Sequence, residues 1–183
     1  MPTCKRLAME FAEVLSKRRS VRSYKPQPIE ENKLRRIFEA ANLAPSAGNL
    51  QAFQVHVVRD QAKKQALAQA ANGQGFIADS PISLVFCADP ARSEGKYGQR
   101  GAELYSVQDA TIAATFAMLA AVDLGLATVW VGDFDEKKVQ EVLEVKLLRP
   151  VAIFSLGYAA ERPQQSPRRA IEEIFRGDFP QTD

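Results

Sequence analysis

From Ala110 to Val131 the chain is almost unbroken in apolar and small residues, and this stretch constrains the fold more than any other. It covers about the 20 positions that a membrane span requires. However, Asp123 and Gly125 interrupt it, Ala and Thr make up much of it, and Asp109 and Asp133 flank it where a basic bias on one side would set orientation. A buried helix, a glycine stop and a buried strand explain it better than a membrane segment. Within the helix, Ile112, Phe116, Leu119 and Ala120 form one stripe, and Ala113, Ala117 and Ala121 form another. Two apolar faces ask for burial all round. A subunit interface running over the helix satisfies that demand, and so does a central helix in a monomer core.

The chain's 183 residues, 46% of them hydrophobic, suffice for one domain with a sizeable core and no staples. Lys and Arg number 24 against 22 Asp and Glu, so the net charge of +2 is too small to suggest nucleic acid as a partner. Two distant cysteines, Cys4 and Cys87, form neither a metal-ligand pair nor a disulfide framework, which points to a reducing cytoplasm. The single histidine, His56, removes several chemistries together. Ser-His-Asp hydrolysis, Cys-His proteolysis and a two-histidine zinc site all need His that this chain does not have to spare. His56 itself lies in a strand-like run, Phe53 to Val58, and reads as structural.

Periodicity places the remaining elements. Leu7, Phe11, Val14 and Leu15 share a helical face, as do Leu34, Ile37, Phe38 and Ala41 in a helix that stops before Pro45. Asp60 can cap an Ala-rich helix reaching about Ala71, and Pro81 opens an apolar strand, Ile82 to Cys87. Residues 89–101 are polar and punctuated by glycine, which predicts a loop. The long helix then runs from Glu103 to Leu124 and stops at Gly125. Strands over 127–131 and 151–156 bracket a helix begun by Asp133 or Asp135, and a Pro-, Gln- and Arg-rich tail follows. The whole predicts one mixed α/β domain, with no membrane segment.

Gly73-Gln74-Gly75-Phe76-Ile77-Ala78 fits the loose dinucleotide pattern Gly-x-Gly-x-x-Gly/Ala, but that motif must leave a strand and open a helix. Here it leaves a helix and is expected to enter a strand. Three other stretches carry more chemistry. Arg18, Arg19, Ser20 and Arg22 gather guanidinium forks and a hydroxyl suited to a phosphate monoester, with Arg168-Arg169 as a possible second arm. Pro45 to Gln51 is a small-residue loop that can press its backbone on a planar ring, with the Asn49 and Gln51 amides reading polar edges. Gly132, between Val131 and Asp133, lets a ligand approach the backbone where a strand turns into a helix. Taken singly, the first is also an ordinary basic face, the second a connector and the third a plain helix cap.

Their order is more specific than any one of them. Arg18-Arg19-Ser20-x-Arg22, then Ala44-Pro45-Ser46-Ala47-Gly48-Asn49-Leu50-Gln51, then Leu124-Gly125-Leu126-Ala127-Thr128-x-Trp130-x-Gly132-x-Phe134-Asp135, then Gly157-Tyr158 and the Arg pair resemble the nitroreductase family of FMN-dependent oxidoreductases. The resemblance spans nearly the whole chain, from Glu10 to Phe175. It implies an α+β fold, a central mixed or antiparallel sheet wrapped by helices, forming one FMN-binding domain over residues 1–183 of a homodimer with two cofactor sites at the subunit interface. Arg18, Ser20 and Arg168 or Arg169 would hold the FMN phosphate, with Arg19 and Arg22 near the phosphate and the pyrimidine side of the ring. Pro45, Ser46, Ala47 and Asn49, with Gln51 nearby, would line the flavin bound mainly by the other subunit. Gly132 and its neighbours Val131 and Asp133 would bring a backbone N–H near flavin N5.

The resemblance also implies NADH or NADPH as reductant, small planar acceptors such as nitroaromatics or quinones, ping-pong kinetics, and no metal or catalytic side chain. Alternatives on the same fold are a reductive dehalogenase, a flavin-fragmenting synthase, or a flavin-binding sensor without turnover. Three departures concern substrate recognition. Ala52 stands where many relatives have Pro, only residues 89–101 could serve as a lid, and Asn72 or Gln74 stands in loosely for an amide or basic residue before the second strand.

Overall fold

The structure, a computed structural model, describes residues 9–175 and residue 177. Cys4, Leu7 and the N-terminal run Met1 to Arg6 lie outside the described residues. The elements run α1 (Phe11–Lys17), α2 (Glu31–Asn42), a short 3-10 turn (Ala47–Asn49), β1 (Phe53–Val58), α3 (Gln61–Ala70), α4 (Phe76–Asp79) and β2 (Ile82–Ala88). They continue with α5 (Pro90–Arg100), a π-helical turn (Gly101–Tyr105), α6 (Ser106–Asp123), β3 (Ala127–Val131), α7 (Glu136–Leu143), β4 (Arg149–Gly157) and α8 (Ile171–Ile174).

The four strands form an antiparallel sheet in the order β1-β2-β4-β3. Every residue of β2 is buried, as its unbroken apolar run requires for a strand covered on both faces. One face packs Leu84, Phe86, Phe154 and Leu156 against α2 and α6. The other packs Val85, Cys87, Ile153 and Val129 against Leu67 and Ala68 of α3, Ile77 of α4 and Val139 of α7. Pro150 is tolerated inside β4 because the register against β2 shifts at Phe86/Cys87, beside it. The Cys87 thiol is buried, which pushes its pKa up to about 12, so it is an inert core group.

The long helix sits between the sheet and α2. Its stripe of Ala110, Ala113, Ala114, Ala117 and Ala121 is fully buried, and the small side chains let the two helices and the sheet approach closely. The run from Pro90 to Asp123 is long and apolar enough to cross a membrane by length and composition. Even so, its inner face is the core of this fold. Among the described residues the second stripe is only partly covered: Ile112, Leu119 and Ala120 are half-buried and Phe116 is 38% exposed. Of the two ways to bury both faces, a monomer core covers only one.

Two expectations need correction. Residues 90–100 form helix α5, not a loop. Asp89 caps it by accepting from Arg92 N, and Pro90 sits in its first turn with a φ already suited to a helix. The turn at Gly73–Gly75 leads into the single helical turn of α4 before the strand begins. It still leaves a helix, so it lacks the strand-to-helix geometry of a dinucleotide turn. Among the other boundaries, Asp60 does cap α3, accepting from Lys63 N at 2.8 Å, and Asp135, not Asp133, caps α7. His56 lies on β1 as a half-buried residue whose Nε2 has no hydrogen-bond partner among the described residues, and burial lowers its pKa.

Candidate active site

As α1 ends, the chain turns along the outer edge of β3. Ser20 bridges Thr128, and Val21 N donates to Thr128 O at 3.1 Å. Half-buried Tyr24 fastens the segment from below, its single hydroxyl proton shared between Val21 O at 2.6 Å and Ser155 O at 3.1 Å. Glu161, from the tail, accepts from the backbone N–H groups of Arg22 and Ser23 at 2.6 and 3.1 Å. The backbone of 20–23 is therefore fixed on both sides, and the guanidiniums project from a rigid base.

Those guanidiniums differ in what they are free to do. Arg19 spends its donors on Ser16 O, Arg18 O and Gln165 Oε1. Arg18 is half-buried, and burial first, then the charges of Arg168 and Arg19, hold its pKa below the usual value. Among the described residues, neither Arg18 nor Arg168 has a carboxylate in ion-pair contact. A partly desolvated guanidinium with like charges near it is costly unless an anion completes it. Arg168 is the tail arginine whose charge acts on Arg18, and both Arg168 and Arg169 are exposed. Arg22 lies over the Phe76 ring, 5.8 Å from its centroid.

The exit of β3 lies toward the other end of the sheet. Val131 is buried, Gly132 and Asp133 are exposed, and Gln74 Nε2 donates to Asp133 O at 3.4 Å, while Asn72 is exposed. A Cβ at Gly132 would meet nothing closer than Trp130 Nε1, at 3.5 Å. That is an ordinary contact and the φ is not positive, so nothing within the chain demands glycine there. A ligand approaching the backbone would.

The 45–52 loop is held quite differently. Asp109, 2% exposed, accepts from Ala47 N at 2.9 Å and from Ala52 N at 3.2 Å, so one buried carboxylate pins both ends of the loop. Ser46 Oγ accepts from Gln51 N at 3.0 Å, and Arg92 Nε from α5 donates to Leu50 O. Gly48, Asn49 and Gln51 have φ of 55°, 58° and 50°, left-handed values that cost a non-glycine residue about 1–2 kcal/mol each. Pro45, Ser46 and Ala47 line a cleft of about 570 Å³ together with Tyr105, Gln108, Thr111 and Ile112.

Sequence reasoning treated Asp109 only as a charge flanking an apolar run and missed its role. The available signal was an acid in the first turn of a helix that must be buried, where it needs donors. Lys96 and Tyr97 were missed along with α5. A side chain at Gly48 would collide with the Tyr97 hydroxyl and the Lys96 ammonium.

The candidate residues thus lie in three places in one chain. Arg18, Ser20 and Arg168 lie by the start of β3 and the C-terminal end of α6, Arg22, Gly132 and Asp133 lie toward the exit of β3 at the other end of the sheet, and Pro45, Ser46, Ala47, Asn49 and Gln51 lie at the N-terminal end of α6. At 1.5 Å rise per residue, Asp109 and Asp123 are about 21 Å apart along the helix. Arg18 and Ser20 therefore lie at the opposite end of α6 from the 45–51 loop.

Comparison with known proteins agrees with this architecture. The model of a family described as the nitroreductase family matches residues 15–75 and 70–158. A protein of Thermus thermophilus named NADH dehydrogenase is 32% identical over 186 residues, covering 86% of this chain and 91% of that one. A Bacillus subtilis protein named FMN reductase (NAD(P)H) is 33% identical over 179 residues, covering 90% and 72% respectively. Among solved structures, the hypothetical oxidoreductase YcnD from Bacillus subtilis matches with a TM-score of 0.85 at 31% identity, over 93% of this chain and 75% of that one.

Proposed function

Because this chain belongs to the nitroreductase family, we propose that it is an FMN-dependent oxidoreductase that takes reducing equivalents from NADH or NADPH. Its acceptors would be small planar molecules, nitroaromatics or quinones among them. Bound FMN supplies the hydride and electron carrier that no side chain of this protein can provide. The protein's part is binding, orientation and exclusion. The observation that carries the reading is the half-buried Arg18 beside Arg168 with no carboxylate in ion-pair contact, a shell suited to a phosphate dianion. Ser20 offers a hydroxyl beside it, Arg19 and Arg22 add positive charge, and Gly132 leaves room for a ring against the backbone between Val131 and Asp133.

The separation of Arg18 and Ser20 from the 45–51 loop supports a composite site in a homodimer. If α6 packs on its own copy across a twofold axis perpendicular to it, the helices run antiparallel and the N-terminal end of one meets the C-terminal end of the other. The partner's 45–51 loop would then lie against the first chain's arginines. The partly covered stripe of Ile112, Phe116 and Leu119, with exposed Phe11 and Leu15 beside it, gives such a pairing an apolar core. The left-handed backbone at Asn49 and Gln51 would hold their amides toward the ring. Residues 1–183 would form a single such domain, working in a reducing cytoplasm. Reductant and acceptor would take turns at one site, which gives ping-pong kinetics.

The test is an absorption spectrum of the purified protein with added FMN, then anaerobic NADH or NADPH. Bound oxidised-flavin bands that bleach are expected, with parallel double-reciprocal lines when an acceptor is varied. Absence of flavin binding overturns the reading. Bound flavin that no pyridine nucleotide bleaches replaces it with a sensor.

A further inference from the structure

Helix α5 places two groups over the loop assigned above to the cofactor, and the inference that follows rests on that assignment. Three cations lie along this helix and its continuation, and the structure separates their roles. Arg92 is engaged with Leu50 O. Arg100 is engaged with Tyr105, donating to its hydroxyl at 3.1 Å and lying 5.5 Å from its ring centroid. Lys96 is different: among the described residues its ammonium has no hydrogen-bond or ion-pair partner, and it lies 5.3 Å from the Tyr97 ring centroid. The Tyr97 hydroxyl likewise has no hydrogen-bond partner among the described residues, although its ring packs edge-on against Tyr105 at 5.2 Å.

Both polar ends converge on Gly48. A Cβ built there would lie 2.5 Å from Lys96 Nζ and closer still to the Tyr97 hydroxyl. Neighbouring carboxylates do not neutralise the ammonium. Asp109 is consumed by two backbone N–H groups, Glu103 accepts from Gln99 Nε2 at 2.7 Å, and Glu94 is two residues away on α5, where side chains do not face each other. The backbone fixes where the pair points. Gly98 takes φ 57° and ψ −151°, which breaks the helix directly after Tyr97. Gly101 then packs so tightly that a Cβ would lie 2.5 Å from Ser93 O and 2.7 Å from Tyr97 Cβ.

We propose that Lys96 and Tyr97 form a recognition pair for an anionic group on the substrate that enters beside the 45–51 loop. The ammonium supplies the charge and the phenol a second donor. The shared chemistry is a compact oxyanion, either the ribose 2′-phosphate of NADP(H) or a carboxylate of the acceptor. Arg92 and Arg100, already engaged, position the loop and the kink.

Two pairs, each differing by the one anionic group in question, distinguish the sources: NADP+ against NAD+, and 4-nitrobenzoate against 4-nitrobenzamide. Dissociation constants are read from perturbation of the flavin spectrum in the FMN-loaded protein, without turnover. Lys96→Ala should weaken binding of the member carrying the extra anionic group in one pair about tenfold, the loss of one charge-assisted hydrogen bond, while the member without it changes less than about twofold. The pair that responds names the source. Tyr97→Phe should give a loss of about threefold in the same direction, and Lys96→Arg should restore most of the binding. Both members of each pair weakening in parallel, or neither changing, overturns the inference while intact flavin bands leave the cofactor reading standing. Flavin bands absent before any ligand is added overturn that reading, and this one with it.

Discussion

At the C-terminal end of α6 the chain assembles charge on a rigid edge: Ser20 and Val21 pair with Thr128 of β3, Tyr24 fastens them from below, and Arg18 and Arg168 have no carboxylate in ion-pair contact among the described residues. At the N-terminal end it assembles shape, a short loop in left-handed conformations held at both ends by the single buried carboxylate of Asp109. The first region distributes its support over many backbone bonds and leaves its ligand energy to side chains. The second concentrates its support in one side chain. Losing a side chain should therefore cost the charged end ligand affinity and the shaped end structure.

The largest effect should come from Asp109→Ala. It leaves the N–H groups of Ala47 and Ala52 without acceptors, at about 1–3 kcal/mol each, so urea unfolding should show a loss of about 2–5 kcal/mol. FMN affinity should fall with it because the loop loses its shape. A loss under about 1 kcal/mol would mean that the loop holds itself and the contrast between the two ends is wrong.

Arg18→Ala should do the reverse. Folding stability should change by less than about 0.5 kcal/mol, because relief from Arg168 and Arg19 offsets the lost packing. FMN should bind about 10- to 100-fold more weakly, matching a charge-assisted contact of about 1.5–3 kcal/mol. Equilibrium titration by flavin fluorescence checks it, and unchanged affinity removes Arg18 from the phosphate shell.

Gly132→Ala sharpens the same contrast. The chain has room for this methyl group, so stability should hold or rise by about 0.4–1 kcal/mol from the smaller unfolded ensemble. If a ring packs on that backbone, FMN affinity should fall about tenfold. A stable variant with native affinity would place the ring elsewhere.

Much of the fold was legible because it rests on local rules. The unbroken apolar run of β2, the Asp60 cap and the glycine stop after the long helix each have one physical reading. Helix α5 was not legible as a helix, since its glycines and charges read as a loop, although Asp89-Pro90 carried the cap-then-proline signature. For the candidate site, sequence could name the arginines and the loop but not their separation along α6, nor that Arg168 rather than Arg169 approaches Arg18. Distances of that kind come from how α6 lies on the sheet. Asp109 escaped because its function is to satisfy backbone N–H groups brought to it by tertiary packing alone.

The smallest expected effect concerns His56, which belongs to neither end and so separates general loosening from damage to the loop. It lies on β1, which the 45–52 loop enters, and its Nε2 is buried with no hydrogen-bond partner among the described residues. Burial lowers its pKa in the folded state, so the neutral form is favoured there. Above the unfolded value of about 6.5 the ring is neutral in both states and costs nothing. As pH falls below that value the unfolded chain gains the proton first, so stability declines until the lower folded pKa is reached, and levels off beneath it. His56→Gln should therefore flatten the stability difference between about pH 7.5 and about pH 5.5, measured by urea unfolding. FMN affinity at neutral pH should not change. If affinity falls with the substitution, β1 and the loop move as one unit, and the loop depends on more of the sheet than the Asp109 carboxylate alone.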